Sequence, residues 1–342
     1  SRTGDTLQGL TDQVLFFYAG GAVYGLQADN GQLLWRRFVG HETMMHPQSS
    51  TLGPASDALC VDSRRHELLS LAADTGKLRW RLPLENPLLE PLVLPNFIVA
   101  ATQTGKLLQV TANDGVALRQ AHLPQDLNVP PGADVKRGRL YVASEHSNLY
   151  VLASDTLECN EVYYLGHSIE GVSAPPVSTL GFVFVVERLS LLNSQLHVLA
   201  TDTNGLQLRK AQDPIRLEGQ VVRRPLVIGR RLLVSTDRGA MYLFEIDRAA
   251  ETNPVSIMTT EVPTEAEPVT PYVLANGGQL WVAANSLTQF QLQTSRRSTV
   301  RKSVTHQGDV FVSPLQMQNN VLFYARRRLA NLLISLKKDR RS

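Results

Sequence analysis

The segment Ser70–Trp80, Ser-Leu-Ala-Ala-Asp-Thr-Gly-Lys-Leu-Arg-Trp, decides the fold of this 342-residue chain. It predicts a strand, a turn at residues 74–76, and a second strand that brings Trp80 back alongside the first. Asp and Gly between two extended apolar runs favour a hairpin, because both tolerate the left-handed backbone of such a turn. The same pattern occurs at Gly25–Trp35, so the segment is a repeat.

Further copies of the turn follow along the whole chain, and a short apolar strand precedes each of them. These strands succeed one another at intervals of 38 to 50 residues. Such a period, with four short strands per unit and few helical patterns, is typical of a β-propeller. The sequence therefore predicts an all-β fold, an eight-bladed β-propeller of four-stranded antiparallel blades. The apolar strands begin at Leu15, Leu59, Phe97, Leu140, Phe182, Leu232, Leu280 and Leu322.

The unbroken period predicts one propeller domain over residues 1–342. In the third unit, strands are predicted at residues 91–94, 97–101, 106–111 and 116–121. The eighth unit stops at its hairpin turn, so we expect either that Ser1–Asp5 supplies its fourth strand or that the last blade has three strands. The eight units span approximately residues 6–40, 50–84, 89–123, 133–166, 174–211, 222–260, 268–304 and 309–342.

The repeat resembles the pyrroloquinoline-quinone-type (PQQ-like) propeller repeat, whose consensus is roughly Ala-Leu-Asp-Ala-x-Thr-Gly-x-x-x-Trp. Ser70–Trp80 and Gly25–Trp35 match it. The family includes quinoprotein dehydrogenases and also non-enzymatic members, such as the propeller lipoprotein of the bacterial outer-membrane barrel-assembly machinery. The resemblance implies the fold but leaves the function open between these two classes.

The resemblance also implies how neighbouring blades contact each other. In that family the repeat tryptophan docks between blades, which implies a docking role for Trp35 and Trp80 with the turn glycines Gly31 and Gly76. We expect the Trp80 indole N–H to donate to a backbone carbonyl of the next blade. Counted from each turn, other residues hold the tryptophan position in later units, so those interfaces must be packed differently. These residues are Arg119, Glu161, Arg209, Asn253 and Thr299.

The motifs favour a non-enzymatic scaffold for protein–protein interaction without a cofactor. The chain has no adjacent cysteines, which the calcium-dependent dehydrogenases of the family carry over the quinone, and no Cys-x-x-Cys-His for a haem. Carboxylates do follow core strands, where a quinone site would need them for calcium and for a general base. The alternative is therefore a quinone-dependent oxidoreductase with calcium. These carboxylates are Glu145, Glu170, Glu187 and Asp237.

No apolar run reaches the length of a membrane-spanning helix, and no signal-peptide pattern is present. The chain starts with serine rather than methionine, which is compatible with removal of a leader or a preceding domain. A scaffold similar to the envelope members of the family implies a periplasmic or cell-envelope location. The partner we expect is a protein.

The net charge of +3 hides a strong asymmetry along the chain. Residues 296–342 contain eleven Lys or Arg and two acidic residues. This excess predicts a positive surface on blades seven and eight that contacts an anionic partner. The alternative is a solvated edge whose charges discourage strand pairing. The candidate residues for this contact are Arg326, Arg327, Arg328, Lys337 and Lys338.

Two histidines and two methionines lie close together in residues 40–47, the connection from blade one to blade two. Imidazole and thioether ligands suit copper, which makes His41, Met44 and His46 weak candidates for a metal site. The alternative is a simple connection whose methionine pair covers the core. The prediction is that no metal is bound.

The segment Glu187–Gln195 lengthens a strand connection in blade five and is expected to expose Leu189, Leu191 and Leu192. Protruding segments on a rigid scaffold are where partners commonly bind. These three leucines are therefore candidates for partner binding. The alternative is family drift without function.

Overall fold

The computed structural model describes residues 14–41, 45–50, 57–166, 171–261, 267–292, 299–305, 309–318, 321–328 and 331–338. They form β-strands and one 3-10 turn, η1 (Glu145–Ser147). None of the helical structure in these ranges is long and apolar enough to cross a membrane. The chain divides into two compact units, one of residues 1–120 and 307–342 and the other of residues 121–306.

The strands form antiparallel sheets that succeed one another along the chain, and we number these sheets 1 to 8. In sheets 1 to 4, 6 and 7 the strand order within the sheet follows the chain. Sheet 1 contains β1 (Val14–Ala19), β2 (Ala22–Gln27) and β3 (Leu33–Phe38). Sheet 2 contains β4 (Gln48–Ser49), β5 (Ala58–Asp62), β6 (Glu67–Leu71) and β7 (Leu78–Pro83). Sheet 3 contains β8 (Leu92–Val93), β9 (Ile98–Ala101), β10 (Lys106–Val110) and β11 (Ala117–His122).

Four sheets make up the second unit, and sheet 5 differs from its neighbours by having a fifth strand, β20, which pairs with β18. Sheet 4 contains β12 (Gly132–Asp134), β13 (Arg139–Ala143), β14 (Asn148–Ala153) and β15 (Cys159–Tyr164). Sheet 5 contains β16 (Val172–Thr179), β17 (Phe182–Ser190), β18 (Asn193–Thr201), β19 (Leu208–Lys210) and β20 (Ile215–Glu218). Sheet 6 contains β21 (Leu226–Ile228), β22 (Arg231–Ser235), β23 (Met241–Ile246) and β24 (Val255–Glu261). Sheet 7 contains β25 (Tyr272–Asn276), β26 (Gln279–Ala283), β27 (Ser286–Gln291) and β28 (Thr299–Thr305).

Sheet 8 contains β29 (Asp309–Phe311), β30 (Gln316–Gln318), β31 (Val321–Arg328) and β32 (Asn331–Lys338). Both β29 and β30 pair with one edge of β31, and β32 pairs with the other. Ser1–Asp5, expected to complete this sheet, lies outside the described residues. With eight small antiparallel sheets in chain order, the prediction of an eight-bladed β-propeller is confirmed.

The apolar strands that set the period are buried strands of their sheets. Residues 140–143 on β13 and 182–185 on β17 are buried throughout, as are 322–325 on β31. A strand that is apolar on both faces is stable only when sheets pack on each side of it, which is the arrangement of stacked blades. The four strands predicted for the third unit agree with β8 to β11 within two residues.

In the compact unit of residues 1–120 and 307–342, Trp35 and Trp80 each contact the next sheet, and their role in holding the blades together stays a prediction. The Trp80 indole N–H donates to Ala112 O at 2.8 Å, and that of Trp35 donates to Ala73 O at 2.6 Å. Each ring lies over a turn glycine of the next sheet. A Cβ on Gly76 would come within 2.5 Å of the Trp35 ring, and one on Gly115 within 2.5 Å of the Trp80 ring.

Both covered glycines have a positive φ, +64° for Gly76 and +72° for Gly115, which favours glycine on steric grounds as well. Gly31 occupies the matching turn of sheet 1 with φ +74°. Its part in docking stays a prediction. Gly115 is a docking glycine that the tryptophan pattern did not single out, because its own unit carries Arg119 where the tryptophan would stand.

Counting from the turns assigns the tryptophan position to Asn253 in sheet 6 and to Thr299 in sheet 7, and both assignments are wrong. Trp80 pairs with Ser70 one residue before a bulge, and the same position in sheets 6 and 7 is held by Thr259 and Lys302. Asn253 and Thr299 do not occupy it, because the connections after β23 and β27 are longer than the one after β6. Thr259 lines a small, partly open pocket between sheets 6 and 7, together with Glu261, Leu233, Met241, Leu243, Leu280, Phe290 and Leu292.

Candidate partner-binding site

The hairpin of β17 and β18 is longer than its counterparts in sheets 2 and 4. Its strands have nine residues each, against five in β5 and β13, and the difference is about 13 Å of additional strand. Strand pairing continues to Ser190 and Asn193, so only Leu191 and Leu192 form the turn. We call residues 187–195 the leucine hairpin.

Three leucines at the tip of this hairpin are solvent-exposed, as the sequence predicts. Leu189 is 48% exposed, Leu191 83% and Leu192 58%. A cluster of exposed apolar side chains on a projecting element is typical of a protein-interaction site. That they bind a partner stays a prediction.

Gln220 fixes the backbone at the tip of the leucine hairpin. Its Nε2 donates to Ser190 O at 2.6 Å and to Asn193 O at 3.1 Å, on either side of the turn. The Gly219 N–H donates to Leu192 O at 2.7 Å. Strand β20 adds to this support, because it pairs with β18 from Leu196 to Asn193. The turn is therefore held by three hydrogen bonds and by the pairing of β20 with β18, all from one segment.

This supporting segment is itself tied to sheet 6. The Gln220 N–H donates to Asp237 Oδ1 at 2.7 Å, and the Asp237 N–H returns a bond to Gln220 O at 2.8 Å. A Cβ on Gly219, whose φ is +91°, would lie 2.6 Å from Thr236 Oγ1. The Glu218 N–H donates to the Tyr242 hydroxyl at 2.8 Å. The tip consequently has a defined position relative to sheet 6.

The base of the hairpin carries a buried carboxylate, Glu187. It accepts hydrogen bonds from the Ser147 hydroxyl of sheet 4, from Gln195 Nε2 at 2.8 Å and from His197 Nε2 at 2.9 Å. Burial alone would raise the pKa of Glu187, but the hydrogen bonds from His197, Ser147 and Gln195 outweigh it and hold the pKa below its usual range. Glu187 is thus ionised at neutral pH and joins the hairpin to sheet 4.

The other carboxylates proposed from the sequence do not gather around a common point. Asp237 serves the backbone of Gln220, Glu145 is exposed on η1, and Glu170 lies outside the described residues. Among the residues that the structure describes, no group of three His, Cys, Asp or Glu side chains is placed to hold a metal ion.

The weak metal candidates in residues 40–47 likewise do not come together as a ligand set among the described residues. His41 is exposed, and its ring packs edge-on against Phe38 with 4.9 Å between ring centroids. Met44 falls outside the described residues, and His46 is half-buried. The neighbouring Met45 packs against the apolar cluster that contains Trp80, which agrees with the alternative of a methionine covering the core.

The structure separates the basic residues of sheet 8 into two groups. Arg326, Arg327 and Arg328 lie at one end of β31, where Arg327 is exposed and pairs with Leu332. Lys337 and Lys338 pair with the opposite end of the same strand. About five residues of strand, or 17 Å, separate the groups. The backbone register therefore places the two groups at opposite ends of this hairpin.

Sequence reasoning found the leucines but missed the segment that supports them. Strand β20 and Gln220 follow the hairpin by twenty residues or more and carry no repeat motif. The signal that could have indicated them is the unit length, because the interval from Phe182 to Leu232 is the longest of the series at 50 residues. Extra residues in a propeller unit must be accommodated beside one of its strands or in a connection.

Comparisons with known proteins agree with this architecture. Residues 19–156 match the family model of the outer membrane protein assembly factor BamB. No curated protein sequence shows significant similarity to the chain. Among solved structures, the chain is similar to BamB from Moraxella catarrhalis, with a TM-score of 0.64 and 15% identity over 92% of this chain and 93% of that one. It is also similar to the computationally designed Ika8 protein, with a TM-score of 0.69 and 11% identity over 94% and 92%.

Identities this low compare folds rather than functions. The family match and the docked tryptophans rest on different observations, one on sequence and one on geometry, and both concern the same repeats. The resemblance to PQQ-like repeats is confirmed for residues 19–156, which match the BamB-like family model, and the chain as a whole has the β-propeller fold.

Proposed function

We propose that this protein is a non-enzymatic β-propeller scaffold that binds another protein in the cell envelope, in the assembly of outer-membrane proteins. The leucine hairpin is the observation that carries the proposal. Its three exposed leucines stand at the end of an extended hairpin that is fixed by hydrogen bonds at its tip and at its base. A fixed apolar projection favours specific binding, because little conformational freedom is lost when the partner docks.

The family match supports the cellular setting of this proposal. The model that matches residues 19–156 is named for an outer membrane protein assembly factor. A propeller in that role acts by holding partners rather than by chemistry. The carboxylates Glu187 and Asp237, which the alternative function would need for calcium or as a base, are engaged in hydrogen bonds that hold the scaffold together.

Photo-crosslinking in cells of the native host tests the proposal. A photoactivatable phenylalanine derivative is placed in turn at Leu191, at Val116 on the sheet 3 connection and at Val162 on β15, all of which are exposed. We expect a discrete heterologous product with one envelope protein from at least one position. The absence of any product, together with quinone absorbance or a calcium-dependent rise in melting temperature, would instead establish the quinone-dependent oxidoreductase.

A second contact is proposed for the arginine end of the β31–β32 hairpin. Strand register places three consecutive arginines, Arg326 to Arg328, at one end of β31, which favours contact with an anionic surface. Exposed charges are screened beyond a Debye length of about 8 Å, so this contact should weaken with salt. The variant Arg327→Glu, at the exposed arginine of this group, should lose partner capture at low salt while keeping its melting temperature. Undiminished, salt-insensitive capture would exclude this contact.

A further inference from the structure

The leucine hairpin also indicates the kind of partner it fits, an inference that rests on the proposed function. We infer that its tip inserts into an apolar recess of a folded protein, with an acidic group at the rim of that recess. The inference follows from three features of the tip: which backbone groups are already bonded, the shape of the apolar surface, and the position of one arginine.

The backbone at the tip has little to offer an added strand. The carbonyl oxygens of Ser190, Leu192 and Asn193 all accept hydrogen bonds from Gln220 or Gly219. On the far side, the outward N–H of Glu218 on β20 is taken by the Tyr242 hydroxyl. Peptides that bind by strand addition derive their affinity from main-chain hydrogen bonds along a free edge. These backbone groups are therefore closed to an added strand, and recognition at this tip relies mainly on the exposed side chains.

The apolar surface of the tip is convex and narrow. Leu191 is the most exposed large apolar residue of the described chain, and Leu192 and Leu189 flank it. A convex apolar knob removes most of its area from water only inside a concave site, where buried anchors supply most of the binding energy of an interface. A flat surface would leave much of the Leu191 side chain in water. The complementary shape is thus a recess.

Arg216 adds a charge to the rim of this knob. Its Nε lies 3.4 Å from Asn193 Oδ1, beside the turn, and its side chain is exposed. It forms no ion pair with any carboxylate of the described residues. Charge complementarity across an interface then favours a carboxylate of the partner opposite it.

A fixed tip also distinguishes a protein partner from a lipid surface. Insertion of apolar side chains into a bilayer requires no defined backbone geometry. Here Gln220 bridges Ser190 and Asn193, and Asp237 in turn fixes Gln220. Preorganisation of this kind lowers the entropic cost of entering one specific site. Gln220 is therefore a positioning residue for the three leucines.

The first experiment uses the full chain with the photoactivatable residue at Leu189 in cells of its native host. Leu191→Ala should lower the yield of the heterologous product about tenfold or more, as expected for an interface anchor. Leu118→Ala is the matched control, because Leu118 is 54% exposed on β11 of sheet 3, and it should leave the yield unchanged. Gln220→Ala should also lower the yield, although it leaves all three leucines in the sequence, because it removes the side chain that positions them.

The second experiment uses the purified cross-linked partner. We expect the intact partner to bind at least about 100-fold more tightly than a synthetic peptide that spans its cross-linked residue. Arg216→Glu should weaken binding and reduce its salt dependence, whereas Arg209→Glu on β19 of the same sheet should do neither. Each variant's melting temperature is measured to show that it folds.

Several results would overturn the inference. Equal binding of the peptide and the intact partner would indicate recognition of a linear segment. If the protein sediments with phosphatidylethanolamine–phosphatidylglycerol vesicles, and if Leu191→Ala abolishes that sedimentation, the tip binds a lipid surface. Cross-links from Val116 or Val162 but none from the tip would overturn the inference about the leucine hairpin and would leave the proposed function in place. The absence of cross-links from every position would remove both.

Discussion

The contacts between sheets 1, 2 and 3 differ in chemistry from the contact between sheets 4 and 5. In the first group one side chain performs two tasks. Trp80 covers the turn glycine of the next sheet, Gly115, and donates its N–H to the backbone at Ala112. Trp35 does the same toward Gly76 and Ala73. Each tryptophan contact is apolar apart from its one hydrogen bond. Two other side chains add polar contacts, because Arg37 Nη1 donates to Gly76 O at 3.2 Å and Gln48 Nε2 donates to Glu90 Oε1 at 2.6 Å.

Between sheets 4 and 5 the same tasks are divided among polar side chains. Arg137 and Arg139 cover the turn glycine Gly205, and their Nε atoms donate to Thr203 O and Asn204 O, each at 3.3 Å. Glu161 occupies the register position of the tryptophan, one residue before the bulge in sheet 4.

The Glu161 carboxylate reverses the direction of the tryptophan's hydrogen bond. It accepts a bond from the buried Leu208 N–H at 2.7 Å, where the indole donates one. The comparison teaches that a turn glycine can be covered and a backbone group of the next sheet bonded without a tryptophan. It also predicts different responses of the two interfaces to mutation and to pH.

Removal of the indole should produce the largest effect. Trp80→Ala is expected to lower the free energy of unfolding by about 3 to 5 kcal/mol, because it leaves a cavity and an unbonded carbonyl at Ala112. Urea denaturation of the purified protein measures it. Trp80→Phe should cost less, since it keeps part of the ring contact over Gly115. A loss below about 1 kcal/mol for the alanine variant would show that the tryptophan does not hold this interface.

Alanine at the covered glycines should distinguish a rigid cover from a flexible one. Gly115→Ala is expected to cost about 2 to 4 kcal/mol, because it combines a positive φ with a clash against the Trp80 ring. Gly205→Ala has a similar φ of +68°, but the Arg137 chain can move aside, so about 1 to 2 kcal/mol is expected.

Gly229→Ala is the control for this pair. Its φ is +61°, and a Cβ there would meet nothing within 4 Å, so the variant reports the backbone cost alone. All three are compared by thermal and urea unfolding. If Gly115→Ala and Gly229→Ala lower the free energy of unfolding equally, the Trp80 ring adds no steric cost. That result would contradict the proposed difference between the two interfaces.

Loss of the carboxylate acceptor should have a smaller effect. Glu161→Ala leaves the buried Leu208 N–H without its partner and is expected to cost about 1 to 3 kcal/mol. Glu161→Gln keeps an acceptor oxygen at the same reach and should recover most of that loss. Amide hydrogen exchange at Leu208 provides a local readout, with faster exchange in the alanine variant only.

The smallest effect is expected from acid. The folded-state pKa of Glu187 lies below its usual value of 4.5, so its stabilising contribution is complete above that pH and is lost as the pH falls through the lowered folded pKa. Glu187→Gln should therefore be less stable than the natural chain at pH 7, and the gap should narrow below pH 4.5. The same scan in a His197→Gln background isolates the carboxylate, since His197 is the titratable group in contact with it.

Trp80→Phe serves as the reference for the acid scan, because the contact between sheets 2 and 3 at that residue has no titrating group. Its stability difference from the natural chain should stay constant over the same pH range. A gap for Glu187→Gln that is equally constant would show that the polar interface does not respond to acid.

The repeated features of the fold could be predicted from sequence because each of them has a local cause. Asp, Thr and Gly in the turn at residues 74–76 dictate its backbone, and the apolar strands dictate burial. The docking of Trp80 followed from the family resemblance together with the preference of a buried indole N–H for a carbonyl. The exposure of Leu189, Leu191 and Leu192 followed from an apolar insertion inside a connection.

The features that could not be predicted depend on contacts between distant residues. Arg137 covers Gly205 across 68 positions of sequence, and no local pattern connects the two. Gln220 supports the leucine hairpin because strand β20 returns to β18, which depends on the path of the whole connection after Lys210. Counting from a turn failed at Asn253 and Thr299, since the lengths of the intervening connections vary and only strand register fixes the position.

The support of the leucine hairpin by β20 has a further consequence, for solubility. An extended hairpin with apolar side chains is a template for strand-to-strand aggregation when its edges are open. Strand β20 covers the β18 edge, and the short β20 ends at Glu218, whose N–H is already bonded to Tyr242. The protein can thus display three leucines to a partner while the β18 edge of the hairpin is closed to strand pairing with its own copies.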